Sequence, residues 1–161
     1  MAYEIRADAV ENHAISGARV QDLPREIASS SRTSYRYILV GIGANDVTRF
    51  ANTDETAALL KDVLQTLPVH EHLIVYMAGN VGGSLLFPRV LNPFYTKQTL
   101  AYHAAFKPIV EAAHGTYVNL YIDPAHDPFQ LHPDDNFAAD GFHPSSAGYR
   151  IWFEKIRPVL Q

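Results

Sequence analysis

The sequence predicts an α/β protein of three layers, an α/β/α sandwich in which helices cover both faces of a parallel sheet. Short, almost continuously apolar segments are typical of strands that are buried on both faces. These segments alternate with longer segments of helical character, and this alternation is typical of parallel sheets with crossover helices. The predicted strands are residues 35–42, 72–77 and 117–122, with a weaker one at 3–9.

The predicted helices fall between and after these strands. Asn52 is followed three residues later by Glu55, a spacing that resembles a capping pair at the start of a helix. Pro68 is expected to end that helix, because proline cannot continue a helical hydrogen-bond ladder. The predicted helices are residues 18–29, 52–67, 95–114, which is the longest, and 145–159; residues 78–93 and 123–142 are expected to be loops.

Size, charge and cysteine content restrict the possible functions. The chain has 161 residues, so we expect residues 1–161 to form a single domain. A formal charge of −4 argues against a nucleic-acid partner, and no apolar segment is long enough to span a membrane. The absence of cysteine excludes disulfides, thiolate metal sites and a cysteine nucleophile. Neither a metal nor an organic cofactor is expected, and the compartment is left open.

The segment Asp140-Gly141-Phe142-His143-Pro144 carries a candidate acid–base pair. Residues three apart in a turn lie on the same side, so the Asp140 carboxylate can accept a hydrogen bond from Nδ1 of His143. Nε2 of His143 is then free to take a proton from a nucleophile, as in serine hydrolases. The alternative is that Asp140 only caps a turn before the last helix.

Two further segments are expected to lie close to Asp140 and His143, because the functional residues of parallel α/β proteins lie in loops beyond the carboxyl ends of the strands. Asn45 directly follows the strand at 35–42, and its amide could donate to an oxyanion; an ordinary Asn-Asp turn is the alternative. Gly17 enters the helix at 18–29 and could offer its N–H as a second donor. A dinucleotide loop at Gly41 and Gly43 is not favoured, because the third glycine is replaced and no helix is expected to open there.

Together these segments resemble the SGNH hydrolase family, also called GDSL-like lipases and esterases. ISGARVQDL is similar to the family's glycine block, GANDVTRF to its G-x-N-D block and DGFHPSSAGY to its D-x-x-H-P block. The resemblance implies oxyanion donors at Gly17 and Asn45 and an acid–base pair at Asp140 and His143. It also implies a serine hydrolase of small or medium acyl esters, such as acetylated sugars, that needs no cofactor.

The family's first block, a Gly-Asp-Ser segment that carries the nucleophile, does not occur in this sequence. Ser16 and Ser84 are weak substitutes, since neither follows a predicted strand-to-helix turn. The resemblance therefore implies a domain that lacks its first strand and first helix at the N-terminal side. The first strand is central in the family's sheet, so we expect the gap to be filled by closure between 3–9 and 35–42, by another subunit, or by an N-terminal fragment.

Two functions are consistent with this sequence. In the first, the chain is an esterase whose nucleophilic serine is supplied by the missing segment. In the second, it is a catalytically silent domain that binds a ligand or the partner that completes its sheet.

Overall fold

The structure is a computed structural model that describes residues 10–160, so the weak strand predicted at 3–9 lies outside the described residues. The other three predicted strands are confirmed, and they form a parallel sheet in the order β1-β2-β3. Val75 in the middle of the sheet lies beside Val40 and Tyr117. The strands are β1 (Ser34–Gly41), β2 (Val69–Met77) and β3 (Thr116–Asn119).

The third strand ends earlier than expected, at Asn119 instead of residue 122. The side-chain oxygen of Asn119 accepts the backbone N–H of Tyr121 at 2.8 Å. This local hydrogen bond gives the Tyr121 N–H a partner outside the strand ladder, as asparagine side chains commonly do at the ends of regular elements.

The four predicted helices are present, with shifted ends. Asn52 caps the second one as expected, because its side chain accepts the N–H groups of Asp54 and Glu55. That helix ends at Leu64, before Pro68, where Thr66 donates both its N–H and its hydroxyl to the carbonyl of Val63. The helices are α1 (Leu23–Ala28), α2 (Ala44–Thr48), α3 (Thr53–Leu64), α4 (Asn92–Ala112), α5 (Pro128–Leu131), α6 (Pro133–Asn136) and α7 (Ser146–Ile156).

Three short helices were not expected. The prediction that no helix opens after Gly43 is wrong, because α2 begins at the next residue. Gly43 has a φ of 105°, a left-handed conformation that glycine adopts freely, and its carbonyl accepts the N–H of Val47. The chain can thus pass from β1 into a helix within two residues. The other two, α5 and α6, lie in the segment that was expected to be a loop.

Alternate residues of β2 contact helices on opposite sides, and this confirms the three layers. Leu73, Val75 and Met77 belong to a large core that contains buried residues of α3 and α4. Ile74 faces the other way and packs in a second core with Ile156 of α7. The sheet therefore lies between α3 and α4 on one face and α7 on the other.

Strand β1 is less well covered than β2. It is an edge strand among the described residues, since only β2 pairs with it. Leu39 in its middle is 49% exposed, whereas Ile74 in β2 is 1% exposed. The described residues thus leave the outer part of the sheet incomplete, in keeping with the expected lack of a strand and a helix.

Candidate active site

A cavity of about 220 Å³ opens where β1 and β2 end. This is the carboxyl edge of the sheet, where parallel α/β proteins bind their ligands. Within residues 10–160, six aromatic and five polar side chains line its wall among small and aliphatic residues. The polar side chains in the wall are Asn45, Asn80, Ser84, Asp127 and His143, and the aromatic ones are Tyr76, Phe129, Phe137, Phe142, Tyr149 and Trp152.

The turn before α7 holds Asp140 and His143 in contact. Nδ1 of His143 lies 2.6 Å from the Asp140 carboxylate, and the other carboxylate oxygen accepts the N–H groups of Phe142 and His143 at 2.9 Å. The His143 hydrogen bond, together with these two N–H groups, lowers the pKa of Asp140 to about 2. Asp140 is therefore ionised at neutral pH and able to orient the imidazole.

This turn depends on a left-handed glycine and on a second loop. Gly141 has a φ of 66°. Its carbonyl accepts two hydrogen bonds from the loop after β2, one from the Ser84 hydroxyl at 2.9 Å and one from the Leu85 N–H at 2.8 Å. Ser84 is 4% exposed, and its oxygen also accepts the N–H of Leu86. Ser84 thus ties the turn that carries His143 to the rest of the cavity wall.

The predicted oxyanion donors lie on two segments that contact each other. Nδ2 of Asn45 donates to the carbonyl of Ala18 at 3.0 Å. Ala18 lines the cavity together with Asn45, whereas Gly17 is exposed and is not among the lining residues. Gly17 has a φ of 77°, and its N–H has no hydrogen-bond acceptor among the described residues. The structure therefore brings Asn45 and His143 to one cavity and places Gly17 one residue from its wall.

The two candidate serines are placed differently. Ser16 is exposed and does not line the cavity. Ser84 does line it, and it is the one serine among the described lining residues, but its hydroxyl is engaged in the hydrogen bonds to Gly141 and Leu86.

A second Asp–His pair with the same spacing shows what distinguishes the site. Asp123 and His126 are also three residues apart, but their side chains are 3.7 Å apart and highly exposed, and neither lines the cavity. In contrast, His143 lies in the wall and Asp140 receives three hydrogen bonds. The spacing of three residues alone would not separate the two pairs; in the sequence they differ by the proline that follows His143, where Asp127 follows His126.

Two features of the site were not predicted from the sequence. Asp46, next to Asn45, is 3% exposed and accepts the N–H of Val20 across the fold. Its position directly after Asn45 was the available signal. Asp127 is also 3% exposed and caps α5 by accepting the N–H of Phe129, and burial raises its pKa.

The described residues contain no group of three or more His, Asp or Glu side chains placed to hold a metal ion. No helix within residues 10–160 has the length and hydrophobicity needed to cross a membrane.

Burial of His103 between Tyr117 and the carbonyl of Ala78 lowers its pKa to about 4, so this histidine is neutral inside the core.

The parallel sheet with helices on both faces and a cavity at its carboxyl edge defines a three-layer α/β/α protein. The model of the GDSL-like lipase/acylhydrolase family matches residues 1–151, and the chain therefore belongs to this family. This result confirms the resemblance found in the sequence and assigns the chain to a family of hydrolases.

Solved structures share the fold at low sequence identity. A variant of Axe2, an acetyl-xylooligosaccharide esterase from Geobacillus stearothermophilus, is 21% identical with a TM-score of 0.67, covering 90% of this chain and 68% of that one. A protein from Lactobacillus plantarum is 22% identical with a TM-score of 0.58, covering 83% of this chain and 70% of that one. TesA is 17% identical with a TM-score of 0.54, covering 88% and 69%. No curated protein matches the sequence significantly.

Proposed function

We propose that the chain forms the acid–base and oxyanion part of a serine esterase that acts on small or medium acyl esters. The observation that carries this proposal is the 2.6 Å contact between Nδ1 of His143 and Asp140, because it leaves Nε2 available in a cavity that also contains Asn45. Acetylated sugars are the proposed substrates; Axe2, whose fold is similar, is an acetyl-xylooligosaccharide esterase.

In the proposed reaction a serine hydroxyl attacks the ester carbonyl, and Nε2 of His143 accepts the hydroxyl proton. The Gly17 N–H and the Asn45 amide donate to the oxyanion of the tetrahedral intermediate. The intermediate collapses to an acyl-serine as His143 returns the proton to the leaving alcohol. Water then attacks the acyl-serine with the same base, and the carboxylic acid is released. Asp140 orients the imidazole throughout, and no metal or cofactor takes part.

The serine is proposed to come from a strand that the described residues do not contain. A groove of about 420 Å³ is lined by most of β1 together with residues 10–14 and parts of α1 and α3. No strand within residues 10–160 fills this groove. The groove shares Gly41 and Tyr76 with the wall of the active-site cavity, so it leads directly to that cavity.

A strand in this groove must run parallel to β1 for its carboxyl end to reach the cavity, because β1 itself ends there. Two copies of β1 related by a twofold axis would pair antiparallel and would not deliver a carboxyl end to this point. We therefore propose an N-terminal segment of polypeptide as the completing strand, and not a second copy of residues 10–160. A dimer of the chain that hydrolyses p-nitrophenyl acetate without any added N-terminal strand, and that loses this activity in Leu39→Arg, would overturn this choice.

A catalytically silent domain is the second candidate, and two observations favour it. The His143 side chain is 56% exposed, which is more open than a water-excluding ester site requires. Ser84, the one described serine in the cavity wall, is engaged in hydrogen bonds. In this case the cavity binds a ligand without turning it over.

A fluorophosphonate probe separates the two candidates. The chain extended at its amino end by a strand that ends in Gly-Asp-Ser should be labelled stoichiometrically on that serine. It should also hydrolyse p-nitrophenyl acetate, with a rate lowered roughly 10⁴-fold or more in His143→Ala. His126→Ala, which removes the histidine of the exposed pair, is the matched control and should keep the full rate. A folded, extended chain without labelling or turnover would favour the silent domain.

A further inference from the structure

Asn45 and Asp46, which lie in the first turn of α2 just after β1, hold the loop that carries Gly17. Asn45 donates from its amide to the carbonyl of Ala18 at 3.0 Å. The carboxylate of Asp46 accepts the N–H of Val20 at 3.2 and 3.4 Å. Consecutive side chains thus bind the loop on either side of Arg19, one as donor and the other as acceptor.

Gly17 lies directly before the part of the loop that is held. The N–H of Ala18 donates to the carbonyl of Ile15, which closes a tight turn around Gly17 in its left-handed conformation. The exposure of Ala18 is 9% and that of Val20 is 0%, so the held residues are packed in the core, while Gly17 itself is exposed. The direction of the Gly17 N–H therefore depends on where Ala18 and Val20 are fixed.

We propose that Asp46 is a positioning residue, whose ionised carboxylate fixes the loop that places the N–H of Gly17 beside the candidate site. This role rests on the proposed function of Gly17 as an oxyanion donor. An asparagine could accept the same hydrogen bond from Val20 without a buried charge. Asp46 is only 3% exposed, so its carboxylate is costly to bury. Its presence indicates that the loop needs a strong hydrogen bond in addition to packing, because ionised groups accept stronger hydrogen bonds from N–H donors.

The charged surroundings of Asp46 come from two neighbouring elements. Arg19 attracts the carboxylate and Asp22 repels it, both from the loop that Asp46 holds, and Tyr102 faces it from α4. Burial is the main cause that raises the pKa of Asp46 to about 6, and the Val20 N–H opposes this rise. Near that pH the carboxylate takes up a proton and becomes a weaker acceptor.

The test follows the backbone N–H signals of Gly17 and Val20 by ¹H–¹⁵N NMR between pH 5 and 8, with the chain as it is. We expect both signals to titrate with one midpoint near pH 6, and both transitions to vanish in Asp46→Asn. The midpoint should move down in Asp22→Asn, because the repulsion on Asp46 is removed. It should stay in His143→Ala, which excludes the imidazole as the titrating group.

The outcomes separate this proposal from the proposed function. A Val20 signal that titrates while the Gly17 signal stays constant would overturn the positioning role and leave Asp46 a purely structural tie. Two constant signals, or transitions that persist in Asp46→Asn, would overturn it as well. A third outcome is that the chain extended with a Gly-Asp-Ser strand shows the expected titration but no ester hydrolysis. That result would support the positioning of Gly17 by Asp46 and would contradict the esterase assignment.

Discussion

Replacing Ser84 by alanine should destabilise the chain without removing a nucleophile. The Ser84 hydroxyl donates to the carbonyl of Gly141 at 2.9 Å and accepts the N–H of Leu86 at 3.1 Å. Both bonds are lost in Ser84→Ala, while the Leu85 N–H still reaches the Gly141 carbonyl at 2.8 Å. The substitution therefore removes one of the two bonds that this loop makes to the turn of His143.

The size of the effect follows from these contacts. Each intramolecular hydrogen bond contributes about 1 kcal/mol net, so the loss of two amounts to about 2 kcal/mol of unfolding free energy. For a chain of this length, about 2–4 °C in Tm correspond to 1 kcal/mol, so Tm should fall by about 4–8 °C. Ser16→Ala is the matched control, since the exposed Ser16 side chain makes no hydrogen bond to the described residues; its effect should stay within about 0.5 kcal/mol.

Urea denaturation and thermal unfolding of the three proteins measure this difference. Mass spectrometry after fluorophosphonate treatment shows which serine, if any, carries an adduct. An adduct on Ser84 in the wild-type chain would refute the structural role and revive this residue as a nucleophile. Equal stability of Ser84→Ala and Ser16→Ala would show that the link to Gly141 contributes nothing.

Asn52→Ala removes the acceptor for two N–H groups in the first turn of α3 and should cost about 1 kcal/mol in urea denaturation; no change would contradict the cap. Gly148→Ala would drive a methyl group into the carbonyl oxygen of Asn136, and overpacking of this kind should cost about 1–3 kcal/mol by the same assay; an unchanged urea midpoint would contradict this contact. The carboxyl of Asp140, with a pKa lowered to about 2, should titrate closer to 3.8 in His143→Ala when followed by ¹³C NMR; an unmoved midpoint would disprove the contact.

Much of the fold could be predicted because its signals are local. The apolar segment HLIVYM lies within β2, and Asn52 caps α3, as expected from a few neighbouring residues. The predicted ends of strands and helices were less accurate, because the ends depend on single side-chain contacts such as that of Asn119 with the Tyr121 N–H. Helix α2 was missed because it depends on the left-handed conformation of Gly43, which composition alone does not reveal.

The candidate site divides in the same way. Asp140 and His143 could be paired from their spacing, because three residues in a turn bring their side chains together. The ties from Ser84 to Gly141 and from Asp46 to Val20 join residues 57 and 26 positions apart. Such contacts follow from the packing of loops against each other, and no local pattern predicts them.

The uncovered side of β1 has a practical consequence for purified protein. Among residues 10–160, an apolar strand with Leu39 half exposed offers backbone groups to any other extended chain. Aggregation should accordingly grow with concentration and begin at this strand. A single lysine in place of Leu39 should delay turbidity in stored samples, while the same substitution at the equally exposed Leu85 should have little influence.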